Sequence, residues 1–355
     1  MRGVAVAGAF LVLLTGCTGP AEPQAVPSAS SDPATPTSPV ATATPSVPAA
    51  GSPSPTRSAT PEPEPHPVSL PALFDKRYDG RRLRLGDVVV RTDAYTQYAV
   101  TYRGDGLTVS GQMLLPEGRG PFPVLVLAHG YIDPAVYVSG QGLRREQDWL
   151  ARAGYAVLHV DYRNHAGSDT DPRAEERLRL GYTVDVINAV RAVRRSGDRR
   201  LDTERIGLLG RSMGGGVVYN VLAVRPGLVD AAVVYAPVSS LAADNFNRWV
   251  RDDPGRSGTS RRILQAYGAP ERNRAFWRQA SPRPFFDRVT EPLLIHHGTA
   301  DESCPIRWSR QTQAALRRAG VRSRLVVYPG EPHAFIAAWP ASMRRTERFF
   351  ERHLG

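Results

Sequence analysis

The sequence predicts an α/β fold, a mostly parallel eight-stranded sheet with helices on both faces. Three observations carry this expectation. Short apolar runs of strand type alternate with amphipathic helical segments, which implies a parallel sheet covered on both sides. The stretch that shows this alternation, about 290 residues, fits one large domain. Finally, Arg205-Ile206-Gly207-Leu208-Leu209 runs straight into Gly210-Arg211-Ser212-Met213-Gly214 and then into Gly215-Gly216-Val217-Val218, a strand, a tight glycine-rich turn and a helix start. The strands are expected at 98–103, 108–115, 124–129, 156–161, 205–209, 231–236, 293–297 and 324–328. No internal repeat is visible.

The first 67 of the 355 residues are not domain-like. Residues 1–16 begin with Arg2 and carry an apolar core from Val4 to Leu14, too short to span a membrane and built like a secretory signal. They end in Leu14-Thr15-Gly16-Cys17, which resembles a bacterial lipobox, so Cys17 is the expected lipidation site and a membrane anchor. Residues 17–67 are almost wholly Pro, Ala, Ser, Thr and Glu and bury too little apolar surface to offset chain entropy. Their prolines favour an extended tether with a reach on the order of 150 Å. The expected location is the extracytoplasmic face of the cell membrane. Residues 68–355 form the expected domain.

Formal charge is +11 and the isoelectric point is near 10.1. Lys76 is the single lysine and every other basic residue is arginine, the skew of a GC-rich coding sequence. No interleaved aromatic and basic motif points to nucleic acid, so the arginines read as solvated surface. With Cys17 lipidated, Cys304 has no cysteine partner and reads as a small buried residue. No His, Cys and carboxylate set has metal-ligand spacing, and no glycine-rich loop has a nucleotide-binding pattern, so no metal or cofactor is expected.

The Gly-x-Ser-x-Gly turn is the pattern of a nucleophile elbow, where glycines two before and two after the serine keep side chains out of a crowded bend. A serine oxygen needs an imidazole to take its proton and a carboxylate to orient that imidazole. In the strand–turn–helix arrangement these follow in the order Ser, acid, His. Asp301 comes just after the predicted strand 293–297, and His333 in the loop after strand 324–328. Glu302, one step further into the loop, is the weaker acid candidate. Of the eight histidines, His66 lies in the tether and His353 at the C-terminus. His159 lies inside a strand, and His129 and His165 precede Ser212. His296 and His297 sit at the end of the strand that feeds Asp301. The backbone N–H groups of Met213 and Tyr131 are the expected oxyanion donors, with Gly130 permitting the turn and His129 structural beneath it.

Several motifs together resemble the catalytic domain of the prolyl-oligopeptidase-type hydrolases (peptidase family S9) and their dienelactone-hydrolase-like relatives, in the α/β-hydrolase superfamily. They are Asp105 to Gly111, Gly120-Pro121-Phe122-Pro123, His129-Gly130-Tyr131, Asp161-Tyr162-Arg163, Gly210 to Gly216, His297 to Asp301 and Gly330-Glu331-Pro332-His333. The resemblance covers residues 96–352. Where the family often continues the arginine motif as Gly-His-Gly-x-Ser, this chain has Asn164-His165-Ala166-Gly167-Ser168. No room is expected for the large β-propeller that gates true oligopeptidases. The resemblance implies an α/β-hydrolase fold with a small helical lid at about 240–288. That stretch carries Phe246, Trp249, Tyr267, Phe276, Trp277, Phe285 and Phe286, which either line an acyl pocket or hold the lid to the domain. The expected activity is Ser-His-Asp hydrolysis of an ester, or of a small peptide or amide bond, through an acyl-enzyme. Acyl transfer to a cell-envelope sugar or lipid, and a non-catalytic binding module on the same fold, are the alternatives.

Overall fold

A computed structural model describes residues 64–355. The signal, the lipobox with Cys17 and the tether up to residue 63 lie outside the described residues. In chain order the elements are α1 (Pro71–Phe74), β1 (Arg81–Arg91), β2 (Tyr95–Gly104), β3 (Leu107–Pro116), β4 (Phe122–Ala128), α2 (Arg144–Arg152), β5 (Ala156–Val160), α3 (Leu180–Arg194), β6 (Leu201–Arg211), α4 (Met213–Val224) and β7 (Ala231–Tyr235). Then come α5 (Ala242–Trp249), α6 (Ser257–Tyr267), α7 (Arg274–Gln279), β8 (Leu293–Gly298), α8 (Ile306–Arg318), β9 (Ser323–Tyr328) and α9 (Trp339–Leu354). Short 3₁₀ turns at Pro254–Arg256 and Arg283–Arg288 flank α6 and α7.

Among the described residues the sheet has nine strands rather than the expected eight, in the order β1-β2-β3-β5-β4-β6-β7-β8-β9. The additional strand is β1, Arg-Arg-Leu-Arg-Leu-Gly-Asp-Val-Val-Val-Arg, paired antiparallel with β2. It is an edge strand exposed along most of its length, with three register shifts, and Val88, Val89 and Val90 are all exposed. Only Arg82-Leu83-Arg84-Leu85 alternates, turning Leu83 and Leu85 partly onto the core, and Val88-Val89-Val90 beyond it is exposed on both faces. Its arginines guard an edge that would otherwise invite another strand. The run from β5 through β4, β6, β7 and β8 to β9 is parallel throughout.

Strand periodicity divides the core in two. Val124, Val126, Leu158, Ile206, Leu208, Val234 and Ile295 point to the face covered by α3, α4 and α8. Their neighbours Leu125, Leu127, Val157, Leu209, Val233 and Leu294 point to the face covered by α2 and α9. This is why each parallel strand reads as a continuous apolar run. On the second face Phe350 of α9 lies against β6, where a Cβ on Gly207 would stand 2.7 Å from its ring. Pairing of Ala128 with Gly210, and of Arg211 with Tyr235, brings the C-terminal ends of β4, β6 and β7 level at one edge of the sheet.

Phe350→Ala leaves a cavity over Gly207 and is expected to cost about 3–5 kcal/mol of unfolding free energy. Urea denaturation should show a lowered midpoint, and an unchanged one would mean that α9 does not seal this face.

Candidate active site

Ser212 sits between β6 and α4 with φ 55° and ψ −120°, a backbone conformation that a non-glycine residue holds only when its surroundings enforce it. The enforcement is visible. The Ser212 N–H donates to the Tyr235 carbonyl at 2.9 Å, and its own carbonyl accepts from Gly215 at 3.0 Å and from Val238 at 3.1 Å. A Cβ on Gly214 would meet the Ala128 carbonyl carbon at 2.5 Å and the His129 carbonyl oxygen at 2.6 Å. A Cβ on Gly210 would meet the Gly214 carbonyl carbon at 2.6 Å. Both glycines of the pattern are therefore required by close backbone approach.

The structure brings Asp301 and His333 together. His333 Nδ1 lies 2.9 and 3.0 Å from the two carboxylate oxygens of Asp301. Asp301 also accepts the backbone N–H groups of Ser303 at 2.9 Å and Cys304 at 2.7 Å. Its carboxylate is fully buried while the His333 ring is partly open. Burial alone would raise the Asp301 pKa. Hydrogen bonds from His297 and His333, the His333 charge and the Cys304 N–H outweigh it and hold the carboxyl well below the usual range. Glu302 accepts the His333 backbone N–H at 3.2 Å rather than the ring.

Ser212 and His333 open into one cavity of about 500 Å³, lined also by Tyr131, Met213, Val217, Phe246, Trp249 and Ile263. Among the described residues the Ser212 hydroxyl has no hydrogen bond to the His333 ring; it lies 4.0 Å from Cys304 Sγ. Catalytic hydrogen bonds in unliganded enzymes are often open in this way. Cys304 itself is buried, and burial together with the Asp301 charge pushes its thiol up to about 12, so it stays protonated. The backbone N–H groups of Tyr131 and Met213 donate to no protein acceptor among the described residues. A Cβ on Gly130 would lie 3.8 Å from Ser212 Oγ, which places this loop beside the serine.

The oxyanion loop is held from below. Asp161, at the end of β5, accepts from Ser110 Oγ, Ser139 Oγ and Tyr137 Oη at 2.7 Å each and from the Gly140 N–H at 3.1 Å. Tyr162 Oη donates to the His129 carbonyl at 3.1 Å. His129 is fully buried, and burial, aided by His159, pushes its pKa down to about 3, so it is a neutral packing side chain. Arg163 is clamped on Asp185 of α3, Nη2 at 2.8 Å and Nε at 3.1 and 3.2 Å.

The lid is present and its aromatics divide. Phe246 and Trp249 of α5 line the cavity. Tyr267, Phe276 and Trp277 pack with Phe246 into the lid's own small core. Phe285 and Phe286 join the main core instead. His66 stands edge-on to Tyr267 and Phe276, at 5.4 and 4.9 Å, so residues just before the expected start at 68 already touch the lid. The Tyr131 ring lines the cavity, and the guanidinium carbons of Arg179 and Arg256 each lie 4.5 Å from its centroid.

Three contributors escaped sequence reasoning. His297 Nε2 lies 3.1 Å from Asp301, and the signal was its place four residues before that acid. Glu331 accepts from Ile336 at 2.6 Å and Ala338 at 2.8 Å, closing the loop that carries His333. Asp161 was read only as part of a motif; its four donors come from β3 and from the loop after β4, segments far from it in sequence.

A serine on a strained strand-to-helix turn, an Asp-held histidine and two free N–H groups over one cavity define the serine hydrolases of the α/β-hydrolase fold. Comparison with known proteins narrows the class. The sequence profile of the prolyl oligopeptidase family matches residues 141–355, and the chain belongs to that family. It is 29% identical over 247 residues to the uncharacterized peptidase YuxL of Bacillus subtilis, across 67% of this chain and 35% of that protein. It is 25% identical over 251 residues to the acylamino-acid-releasing enzyme of Rattus norvegicus, across 68% of this chain and 32% of that one. The chain thus spans about a third of the length of these curated relatives. In fold it resembles acetyl xylan esterase 1 of Thermoanaerobacterium sp. JW/SL YS485, with TM-score 0.61 and 16% identity, over 81% of this chain and 95% of that one. It also resembles the acylaminoacyl peptidase of Pyrococcus horikoshii, with TM-score 0.59 and 22% identity, over 74% and 42% of the two chains.

Because the folded Asp301 pKa is depressed, its contribution to stability is fully present above the unfolded carboxyl value of about 4 and is lost as pH falls through the folded value. Wild type should therefore lose urea resistance on acidification from about pH 5 more steeply than Asp301→Asn. Parallel slopes would mean that the carboxylate is not held in its ionised form.

Proposed function

We propose that this chain is a serine hydrolase that cleaves an ester, or a small peptide or amide bond, through an acyl-enzyme. The observation that carries this reading is the His333 Nδ1 contact with buried Asp301 at 2.9 Å, with Ser212 opening into the same cavity. With Nδ1–H donated to the Asp301 carboxylate, the ring leaves Nε2 to accept the Ser212 proton as Oγ attacks the acyl carbon. The Asp301 carboxylate steadies the imidazolium that results. The oxyanion is placed on the N–H groups of Met213 and Tyr131. Collapse of the tetrahedral adduct breaks the bond to the leaving oxygen or nitrogen, which takes its proton from His333. Water, deprotonated by the same ring, then releases the acid and restores Ser212. Phe246, Trp249, Ile263 and Val217 in the cavity wall favour an apolar acyl group.

Relatives bear the names of both peptidases and esterases, so the choice of bond is put to experiment. We measure kcat/KM for an ester and an amide of one acyl group, with Ser212→Ala as control. Ester turnover that falls roughly 10⁶-fold in Ser212→Ala supports the reading, since loss of the nucleophile removes the whole acyl-transfer route. Amide turnover at a comparable rate makes the chain a peptidase, because only a well-placed His333 protonates a leaving amine. Turnover that survives Ser212→Ala contradicts the reading. Acyl transfer would appear as an ester product on adding an alcohol.

The location we propose is the outer face of the cell membrane, through a lipid on Cys17, on the strength of the motif Leu14-Thr15-Gly16-Cys17. Two or more acyl chains anchor stably. Cys17→Ala should move the protein from the membrane fraction to the soluble one, and unchanged association would remove the anchor from this account.

A further inference from the structure

A second recess, of about 740 Å³, lies between α7, the 3₁₀ turn Arg283–Arg288 and α8. None of its lining residues lines the Ser212 cavity. Along the shared walls the chain alternates: Leu241, Ala243, Ser281 and Arg283 line this recess, and Ala242, Ala280 and Pro282 line the other. Its floor includes Trp277, Phe286 and Ala315, and its charged lining is Arg274, Arg278, Arg283 and Arg318 against the one carboxylate of Asp287.

Among the described residues none of these four guanidiniums forms an ion pair. Arg283 is half-buried, whereas Arg274, Arg278 and Arg318 are exposed at the rim. Arg283 is the best fixed of the four. Its Nε donates to Ser240 Oγ at 2.8 Å, and that oxygen lies 2.8 Å from Thr312 Oγ1 of α8. Its Nη2 is buried and has no partner. Burial lowers the Arg283 pKa; Asp244 and Tyr219 act the other way, and the Arg318 charge adds to the lowering. Like charges gathered around an apolar recess repel one another at short range, and a bound anion reverses the sign of that energy. Guanidiniums at the rim of such a recess favour phosphate or carboxylate, which accept charge-assisted and forked hydrogen bonds from them.

We propose that this recess is a second binding site, for an amphiphilic anion whose phosphate or carboxylate head lies on Arg283 and Arg318 and whose apolar body lies along Leu241, Pro284 and Ala319. Arg274 and Arg278 stand on α7 of the lid and Arg318 on α8 of the body, so the occupant bridges the two. The site does not depend on the catalytic reading.

The test is calorimetric titration of the full-length protein with monomeric dodecyl phosphate, and with inorganic phosphate as the head alone. Dodecyl phosphate should bind at least tenfold more tightly than phosphate, and Arg274→Gln/Arg318→Gln should weaken it at least tenfold with an unchanged thermal midpoint. Arg318→Ala alone, on the exposed side of α8, should weaken it at least threefold and serves if the double variant is unstable. Sedimentation with phosphatidylglycerol vesicles separates two sources of the head. Arginine-dependent co-sedimentation assigns a bilayer lipid, whereas binding of monomers alone assigns a free amphiphile. No dodecyl phosphate binding, binding no tighter than that of inorganic phosphate, or affinity indifferent to the arginines overturns the proposal.

Discussion

The contact on which the site depends is backbone against backbone. The first turn of α4 lies directly on the end of β4, so near that any side chain at 214 would collide with the carbonyls of Ala128 and His129. That approach puts the start of α4 beside the chain leaving β4, and so brings the loop at Gly130 next to Ser212. The strain at Ser212 follows, since a chain that turns so sharply from strand to helix must cross the positive-φ region at one residue. The Ser212 N–H donating to the Tyr235 carbonyl, and the N–H groups of Gly215 and Val238 donating to the Ser212 carbonyl, hold it there. Ser212 is thus presented by the packing of main chains, with its side chain open to the cavity.

Buried carboxylates do the remaining positioning, and each is saturated with donors, as an ionised group out of water must be. Asp161 gathers β3 and the loop after β4. Asp185 fixes Arg163 and with it the segment leading to α3. Asp301 gathers His333, His297 and its own loop. Asp161 and Asp301 lie just past strand ends, where neighbouring N–H and hydroxyl groups converge, and Asp185 lies in α3. The four arginines of the second recess stand apart from this rule, since none of them forms an ion pair among the described residues.

Much of this was legible in the sequence because it rests on local rules. Parallel strands covered on both faces are continuous apolar runs, so the six parallel strands could be placed to within a few residues, and the antiparallel β2 and β3 beside them. Glycines at 210 and 214 mark the elbow, and Ser212, Asp301 and His333 each follow a strand. What escaped has a common physical reason. The edge strand β1 has a partly covered face only at Leu83 and Leu85, so its alternation spans too few residues to mark a strand. His297, Glu331 and Asp161 act through contacts between distant segments, which spacing does not encode. The lid aromatics look alike in sequence, and only packing separates Phe246 and Trp249, at the cavity, from Tyr267, Phe276 and Trp277, which hold the lid together.

The most direct test is a crystal structure of the protein after reaction with a small alkyl fluorophosphonate, read for the bond formed and for two distances. An oxyanion site built by the α4–β4 contact predicts phosphorus bonded to Ser212 Oγ, with its phosphoryl oxygen about 2.7–3.1 Å from the backbone nitrogens of both Tyr131 and Met213. An adduct on another residue, or a phosphoryl oxygen turned away from those two N–H groups, would contradict it.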